Sequence, residues 1–234
     1  MPRFFLVSLL IMSSLASALA QRLVTQTAAL AAGQGVFLNL RFAHHIRVRP
    51  GAALTVQARV RINDNQLNEA FSLRLEPGAS EVSVVEKLDE AALRAASYAG
   101  RCPDGEVMFG NRNGQDGATR GNCVMLDYEV TLPAGTALRI STISGQLDIS
   151  GLRGAITAKT ISGQVKLDWP ASQSAELSLK TVTGEVYADP AVTFSNLQEH
   201  SYVGYELHGR YGSGTGPLVK LESVSGDVFF RKQP

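Results

Sequence analysis

Cysteine is nearly missing from this chain: 234 residues contain two, Cys102 and Cys123. Zinc needs four ligands and a reactive thiolate needs a neighbouring base, and the sequence places neither beside them. An excess of one charge is missing too, with 22 Lys and Arg against 21 Asp and Glu, so the basic surplus of a nucleic-acid-binding protein is absent. After Met12 no run is apolar enough to span a bilayer. There is no G-x-S-x-G elbow for a serine nucleophile. The G-G-x-G-x-D turn that holds calcium in nonapeptide rolls is also lacking.

What is present begins with Arg3, the apolar run from Phe4 to Met12 and the small-residue end Ala18-Leu19-Ala20. This is the pattern of a secretory signal peptide over residues 1–20. No Cys follows the expected cleavage point, which argues against a lipid anchor. Export places the two cysteines in an oxidising compartment, at the ends of the Gly-, Asn- and Asp-rich segment "CPDGEVMFGNRNGQDGATRGNC". They are expected to pair, and closing a loop of that length is worth about 3 kcal/mol in the chain-entropy model.

The stretch "TISGQLDISGLRGAITAKTISGQVKL" repeats itself with a period of nine: Gly145, Gly154 and Gly163 are nine apart. Ala175 and Gly184 resume the spacing after a three-residue insertion at "WPA", and Pro217 and Gly226 resume it near the end. Counting each as position zero, +2 and +4 are aliphatic or aromatic throughout, as in Leu147 and Ile149, or Val228 and Phe230. Position +7 is also apolar (Ile143, Leu152, Ile161, Val182, Val224) and is expected to point inward at a corner. The glycine is expected to supply the backbone freedom of that corner. The intervening positions are mostly polar, which describes a short strand with one face in. A nine-residue strand and turn cannot bury its own inner face and must stack on copies of itself. The expected fold is therefore all-β, a β-solenoid over residues 136–234 capped by an N-terminal antiparallel β region over residues 21–135. An antiparallel meander is the alternative.

Upstream, "VFLNLRF", "IRVRPGAALTVQARVRI", "FSLRLEP" and "EVSVV" alternate as strands, and "DEAALRAAS" is the one helix candidate. Between Gly184 and Pro217 the period fails for 33 residues, which predicts an insertion at about 189–216.

The recurring "TISGQL", "TISGQV", "TVTGEV" and "SVSGDVFFRK", with the entry "YEVTLPAGTAL", resemble the DUF4097 family of adhesin-type β-strand repeat proteins. "VRINDNQLNEAFSLRL" is similar to exported members from Bacteroidetes-type bacteria. The resemblance implies a β-helix-like domain in the bacterial envelope. It brings no catalytic residues with it.

His44 and His45 are strand neighbours, expected to face opposite ways and not to share an ion. The outward +3 positions mix Asp148, Thr157, Lys166, Ser178, Tyr187 and Lys220, the pattern of a solvated face rather than the carboxylate cluster of a polysaccharide-cleaving enzyme. The insertion crowds Phe194, Tyr202, Tyr205 and Tyr211 with His200 and His208, and Tyr202, Tyr205, Tyr211 and His208 form the candidate binding surface. The competing reading has these aromatics packing over the stack. No cofactor, metal or catalytic residue is expected. The expected role is a structural or adhesin-like binding module of the periplasm or cell surface, with envelope polysaccharide or another envelope protein as partner. A periplasmic partner in envelope-stress signalling is the alternative, and a polysaccharide-active β-helix enzyme is a second one.

The native protein recovered from an oxidising compartment should contain no free thiol, and reduction should lower its Tm while leaving its β content nearly unchanged. Two titratable thiols in the native protein would remove the disulfide and reopen a redox role.

Overall fold

The computed structural model describes residues 21–96, 98, 102, 107–113, 119–197, 204–213 and 215–233. Residues 1–20, expected to be a signal segment, and the insertion residues His200 and Tyr202 lie outside them. Two sheets carry the fold. In chain order the strands are β1 Arg22–Ala28, β2 Gly35–Asn39, β3 His45–Pro50, β4 Leu54–Ile62, β5 Phe71–Pro77, β6 Glu81–Leu88, β7 Val107–Asn113, β8 Thr119–Leu132 and β9 Leu138–Ser141. They continue with β10 Gln146–Ser150, β11 Ile156–Thr160, β12 Val165–Trp169, β13 Ala175–Thr181, β14 Val186–Ala188, β15 Val192–Phe194, β16 Tyr205–Tyr211, β17 Leu218–Ser223 and β18 Val228–Lys232. Among the described residues the α-helix α1 Glu90–Ala95 is capped by the Asp89 carboxylate, which accepts from the Ala91 and Ala92 amides. The disulfide joins Cys102 to Cys123 with their Cα atoms 5.3 Å apart.

Both sheets are mixed and largely parallel. One runs β1-β4-β8-β3-β10-β12-β18-β14, with β7 also on β8, and the other β15-β16-β13-β17-β11-β9-β2-β6-β5. Each pair of strands joined by a short corner forms an arch with one leg in each sheet, and the arches stack in register. In one sheet Val36, Leu138, Ile156, Val219 and Leu177 align across five strands, and Leu38, Ile140, Ala158, Leu221 and Leu179 align beside them. In the other, Ile46, Leu147, Val165, Val228 and Val186 align, with Val48, Ile149, Leu167, Phe230 and Ala188 alongside. These four columns fill the space between the sheets, which is why +2 and +4 are apolar in every unit.

One expectation about the chain's path needs correction. β2 and β3 are not part of an antiparallel cap: they form the first arch of the parallel stack, because Val36, Leu38, Ile46 and Val48 carry the same inward phase as the later units. The arches also do not stack in sequence order. The last one, β17 with β18, lies between β11–β12 and β13–β14. From β12 to β13 the chain must therefore climb two strand spacings instead of one, an extra reach of about 4.8 Å. The "WPA" insertion supplies it: equivalent inward residues Ile149 and Ile156 are seven apart, whereas Leu167 and Leu177 are ten apart. Trp169 anchors the longer connection from inside, fully buried, with its indole Nε1 donating to the Gln173 carbonyl at 2.8 Å.

The corners also differ from expectation. Leu152 alone of the +7 residues is fully buried, and Ile161 is 44% exposed. The inward corner position is +6, held by Thr142, Thr160, Thr181 and Ser223, all buried. A corner leaves backbone carbonyls off the ladder, and an aliphatic side chain cannot satisfy them, whereas a hydroxyl can. The hydroxyls of Thr160, Ser223 and Thr181 donate to the carbonyls of Gly145, Gly163 and Gly226 in the arch below, at 3.3, 2.8 and 2.9 Å. The stacked glycines are needed for closeness and not for a left-handed backbone, since none of Gly145, Gly163, Gly184 and Gly226 has positive φ. A Cβ on Gly163 would lie 2.1 Å from the Gly145 carbonyl oxygen, and one on Gly184 would lie 2.1 Å from that of Gly226.

At the N-terminal end β1 covers carbonyls of β5 and of the turn before it: Gln26 Nε2 donates to Leu73 O at 3.3 Å and Arg22 Nη1 to Asn68 O at 2.9 Å. At the other end β16 runs antiparallel along β13, and β15 along β16. The insertion is thus a hairpin that covers one edge of the stack, which limits edge-to-edge association.

Gly163→Ala should destabilise the fold by about 2–3 kcal/mol, because backbone on the neighbouring arch cannot move away. Gly135→Ala, where a Cβ meets nothing within 4 Å, should change stability little. Equal losses in chemical denaturation would remove the corner column as the source of the constraint.

Candidate functional site

The hairpin sorts the candidate aromatics by strand alternation. In β16, Tyr205, Leu207, Gly209 and Tyr211 pair opposite Thr181, Leu179, Leu177 and Ala175, the inward residues of β13. Glu206, His208 and Arg210 pair opposite Lys180, Ser178 and Glu176 on the outer face. Tyr211 is accordingly 4% exposed and meets Phe230 edge-on at 5.6 Å, so it belongs to the core and not to a binding surface. Tyr205 is half-buried, and its hydroxyl accepts the Val186 amide of edge strand β14 at 2.7 Å. Phe194 packs against the core across Gly209, where an added Cβ would lie 2.9 Å from the ring. His208 is the candidate residue that remains outside, its side chain 55% exposed.

The outer face around His208 forms an open concavity of about 440 Å³. Its wall is Glu176, Ser178, Thr193, Ser195, His208, Arg210 and Leu218, drawn from β13, β15, β16, β17 and the residue after β15. Next to it, Glu206 accepts from Ser178 Oγ at 2.7 Å and lies 3.7 Å from Lys180 Nζ and 3.9 Å from His208 Nε2. The Ser178 hydrogen bond, helped by Lys180, Lys220 and His208, holds the Glu206 carboxyl below its usual range. Glu206 therefore stays an anion beside His208. The concavity offers hydroxyls, an imidazole, a guanidinium and a carboxylate around an apolar floor, chemistry suited to binding hydroxylated or polar groups.

Elsewhere several charged residues of the outer face form local pairs. His44 Nδ1 lies 3.0 Å from Asp127 Oδ1 and His45 Nε2 lies 2.6 Å from Asp148 Oδ2, so each histidine has its own carboxylate. Arg47 bonds Glu129 at 2.8 Å, and this bond, with the nearby Asp148 and Asp127, keeps its guanidinium above the usual range. Among the described residues no group of three or more His, Cys, Asp or Glu is arranged to hold a metal ion.

Glu86 escapes sequence reading. It follows Val82 and Val84 on the inward face of β6 and is buried, where a leucine would be expected. One carboxylate oxygen accepts the Phe42 amide and the other the Tyr128 hydroxyl, which ties the two sheets together beneath an open cavity of about 660 Å³ bordered by Arg41. Burial pushes the Glu86 carboxyl up to about 7, against the opposing pull of those hydrogen bonds and of Arg41. The visible signal was a charge at the inward phase of an alternating strand.

No family model matches the chain, and no curated protein matches it. Among solved structures, the crystal structure of a putative cell adhesion protein from Clostridium sporogenes is similar, with a TM-score of 0.52 at 12% identity. The match covers 92% of this chain and 100% of that one. At that identity the likeness shows the fold alone, and the resemblance to DUF4097 rests on its short motifs.

The buried acid makes stability depend on pH. A carboxyl that rises from 4.5 in the unfolded chain to about 7 in the fold favours folding most fully below pH 4.5, and that contribution is lost as pH rises through 7. The loss totals roughly 3 kcal/mol. Glu86→Gln keeps a hydrogen-bonding amide of the same shape without the charge. It should gain about 2 kcal/mol relative to the wild type between pH 5 and pH 8 in denaturant titrations. Parallel pH profiles for the two proteins would show that Glu86 carries no such linkage.

Proposed function

We propose that this chain is a non-catalytic, exported cell-envelope protein of adhesin type, in which a solenoid-like stack of arches displays a recognition surface at its hairpin-covered end. The ligand is an envelope polysaccharide, held in the concavity around His208 and Arg210. The observation that carries this reading is the hairpin itself. It interrupts a flat, internally paired repeat to build an open site of about 440 Å³ whose outward groups are hydrogen-bonding and whose floor is apolar. Hydroxyl-rich ligands suit such a site, because Ser178, Ser195, Thr193 and Glu176 can exchange hydrogen bonds while Leu218 meets ring C–H groups.

Export is supported by the N-terminal charge and apolar pattern and by the disulfide. The adhesin reading is supported by the motif resemblance and by the shared fold of a protein named for cell adhesion. The non-catalytic reading is supported by the pairing of His44 with Asp127 and of His45 with Asp148, each histidine on its own carboxylate.

Replacing His208 and Arg210 together by Ala should abolish binding of the purified protein to whole cells and to extracted envelope polysaccharide, with the Tm unchanged. Tyr211→Ser, by contrast, should lower stability by about 3 kcal/mol through loss of a buried ring. A folded double variant that still binds cells and polysaccharide would place recognition elsewhere.

A further inference from the structure

The other sheet ends in an aromatic column that sequence order conceals. Because β18 lies between β12 and β14, Lys166, Phe229 and Tyr187 are in-register neighbours on the outer face. Phe229 and Tyr187 stack with centroids 4.8 Å apart and planes 7° from parallel. The protein itself treats such rings as cation seats. Lys166 Nζ lies 5.9 Å and Arg231 Cζ 5.2 Å from the Phe229 centroid, Arg139 lies 3.4 Å from that of Phe37, and Arg41 lies 5.5 Å from that of Phe42. Tyr187 breaks the pattern. It is 46% exposed on edge strand β14, and among the described residues no cation lies over it. In place of a cation it has a carboxylate: its hydroxyl donates to Glu185 Oε2 at 2.5 Å.

We infer that the outer face of the Tyr187 ring, together with the Glu185 carboxylate, is a seat for a lysine ammonium or arginine guanidinium presented by a partner protein. The ring face is the negative pole of the aromatic quadrupole, and donating its hydroxyl to a carboxylate makes the ring richer in electrons. Glu185 has Asp227 beside it, whose Oδ1 accepts the Glu185 amide at 3.0 Å, so two carboxylates stand near the Tyr187 ring while the cations Lys166 and Arg231 are already engaged over Phe229. A basic side chain would repeat against Tyr187 the arrangement that Lys166 already makes with Phe229. The partner contributes a side chain and not a strand, because the Tyr205 hydroxyl occupies the Val186 amide on the open edge of β14. This seat lies on the opposite sheet from the His208 concavity and does not rest on the polysaccharide reading.

The test uses the full mature chain and NMR of its tyrosine rings, titrated with N-acetyl-lysine methylamide, the corresponding arginine derivative and the uncharged norleucine derivative. The Tyr187 ring signals should move with the two cations and not with norleucine, and added salt should weaken the effect. Glu185→Gln should weaken the lysine titration by roughly two- to fivefold, with an unchanged Tm. In Tyr187→Leu, followed at the backbone amides of Glu185 and Val186, the preference for cations over norleucine should be lost, and His208→Ala should leave the Tyr187 titration untouched. Equal shifts from norleucine and lysine, or an unaltered titration in Glu185→Gln, would overturn the inference. Tighter binding of glucosamine than of the lysine derivative would overturn the assignment to a protein partner.

Discussion

The stack depends on how closely one corner can approach the next. Ladder hydrogen bonds set neighbouring strands at about 4.8 Å, and the corners must keep that spacing although their carbonyls have left the ladder. Thr160, Ser223 and Thr181 keep it by donating inward-facing hydroxyls to glycine carbonyls of the adjacent arch. The glycines keep it by having no Cβ to place against that carbonyl. Hydroxyl and glycine are two halves of one constraint, and they explain why the repeat is written T-x-[ST]-G or S-x-S-G when the strands themselves vary freely among Leu, Ile, Val, Ala and Phe.

That constraint also makes the order of arches interchangeable. An arch carrying a hydroxyl and a glycine fits against any other such arch, so the geometry does not require chain neighbours to be stack neighbours. The connections impose the order. Six residues lie between Ile149 and Ile156 and nine between Leu167 and Leu177, and the three extra let the chain pass over one position. The C-terminal arch then fills the skipped place and shares its hydroxyl and glycine contacts with both neighbours. Inserting the last segment between two earlier ones ties the end of the chain into the middle of the sheets.

Much of the interior was legible because burial imposes a period. Positions +2 and +4 form the four inner columns, and the same phase runs through Val36, Leu38, Ile46 and Val48, where a one-residue change in spacing and the missing glycine hid it. The corners were misread because apolar character was taken as the mark of an inward position. At a turn the unmet need is a hydrogen bond, so Thr160 is inside and Ile161 is out. Tyr211 was misassigned for a related reason: aromatic density suggested a surface, whereas the alternation of β16 against β13 already put Tyr211 on the side of Ala175. The neighbours Phe229 and Tyr187 are 42 positions apart in the sequence and could not be paired before the order of arches was known.

A repeat consumes its own surface chemistry. Within the stack every outward residue has a rung on both sides, and charges settle into pairs across them: Arg139 with Glu81, Arg47 with Glu129, Lys159 with Glu222, His45 with Asp148. Such pairs are worth little individually, but they leave few groups available to an outside ligand. At the last rung the supply of partners stops. Tyr187 has Phe229 on one side and an open edge on the other, and His208 faces outward from a hairpin strand that has no counterpart in the repeat. Translation thus pairs many of the charges it repeats, whereas the side chains at its end, among the described residues, keep one face without a neighbouring rung.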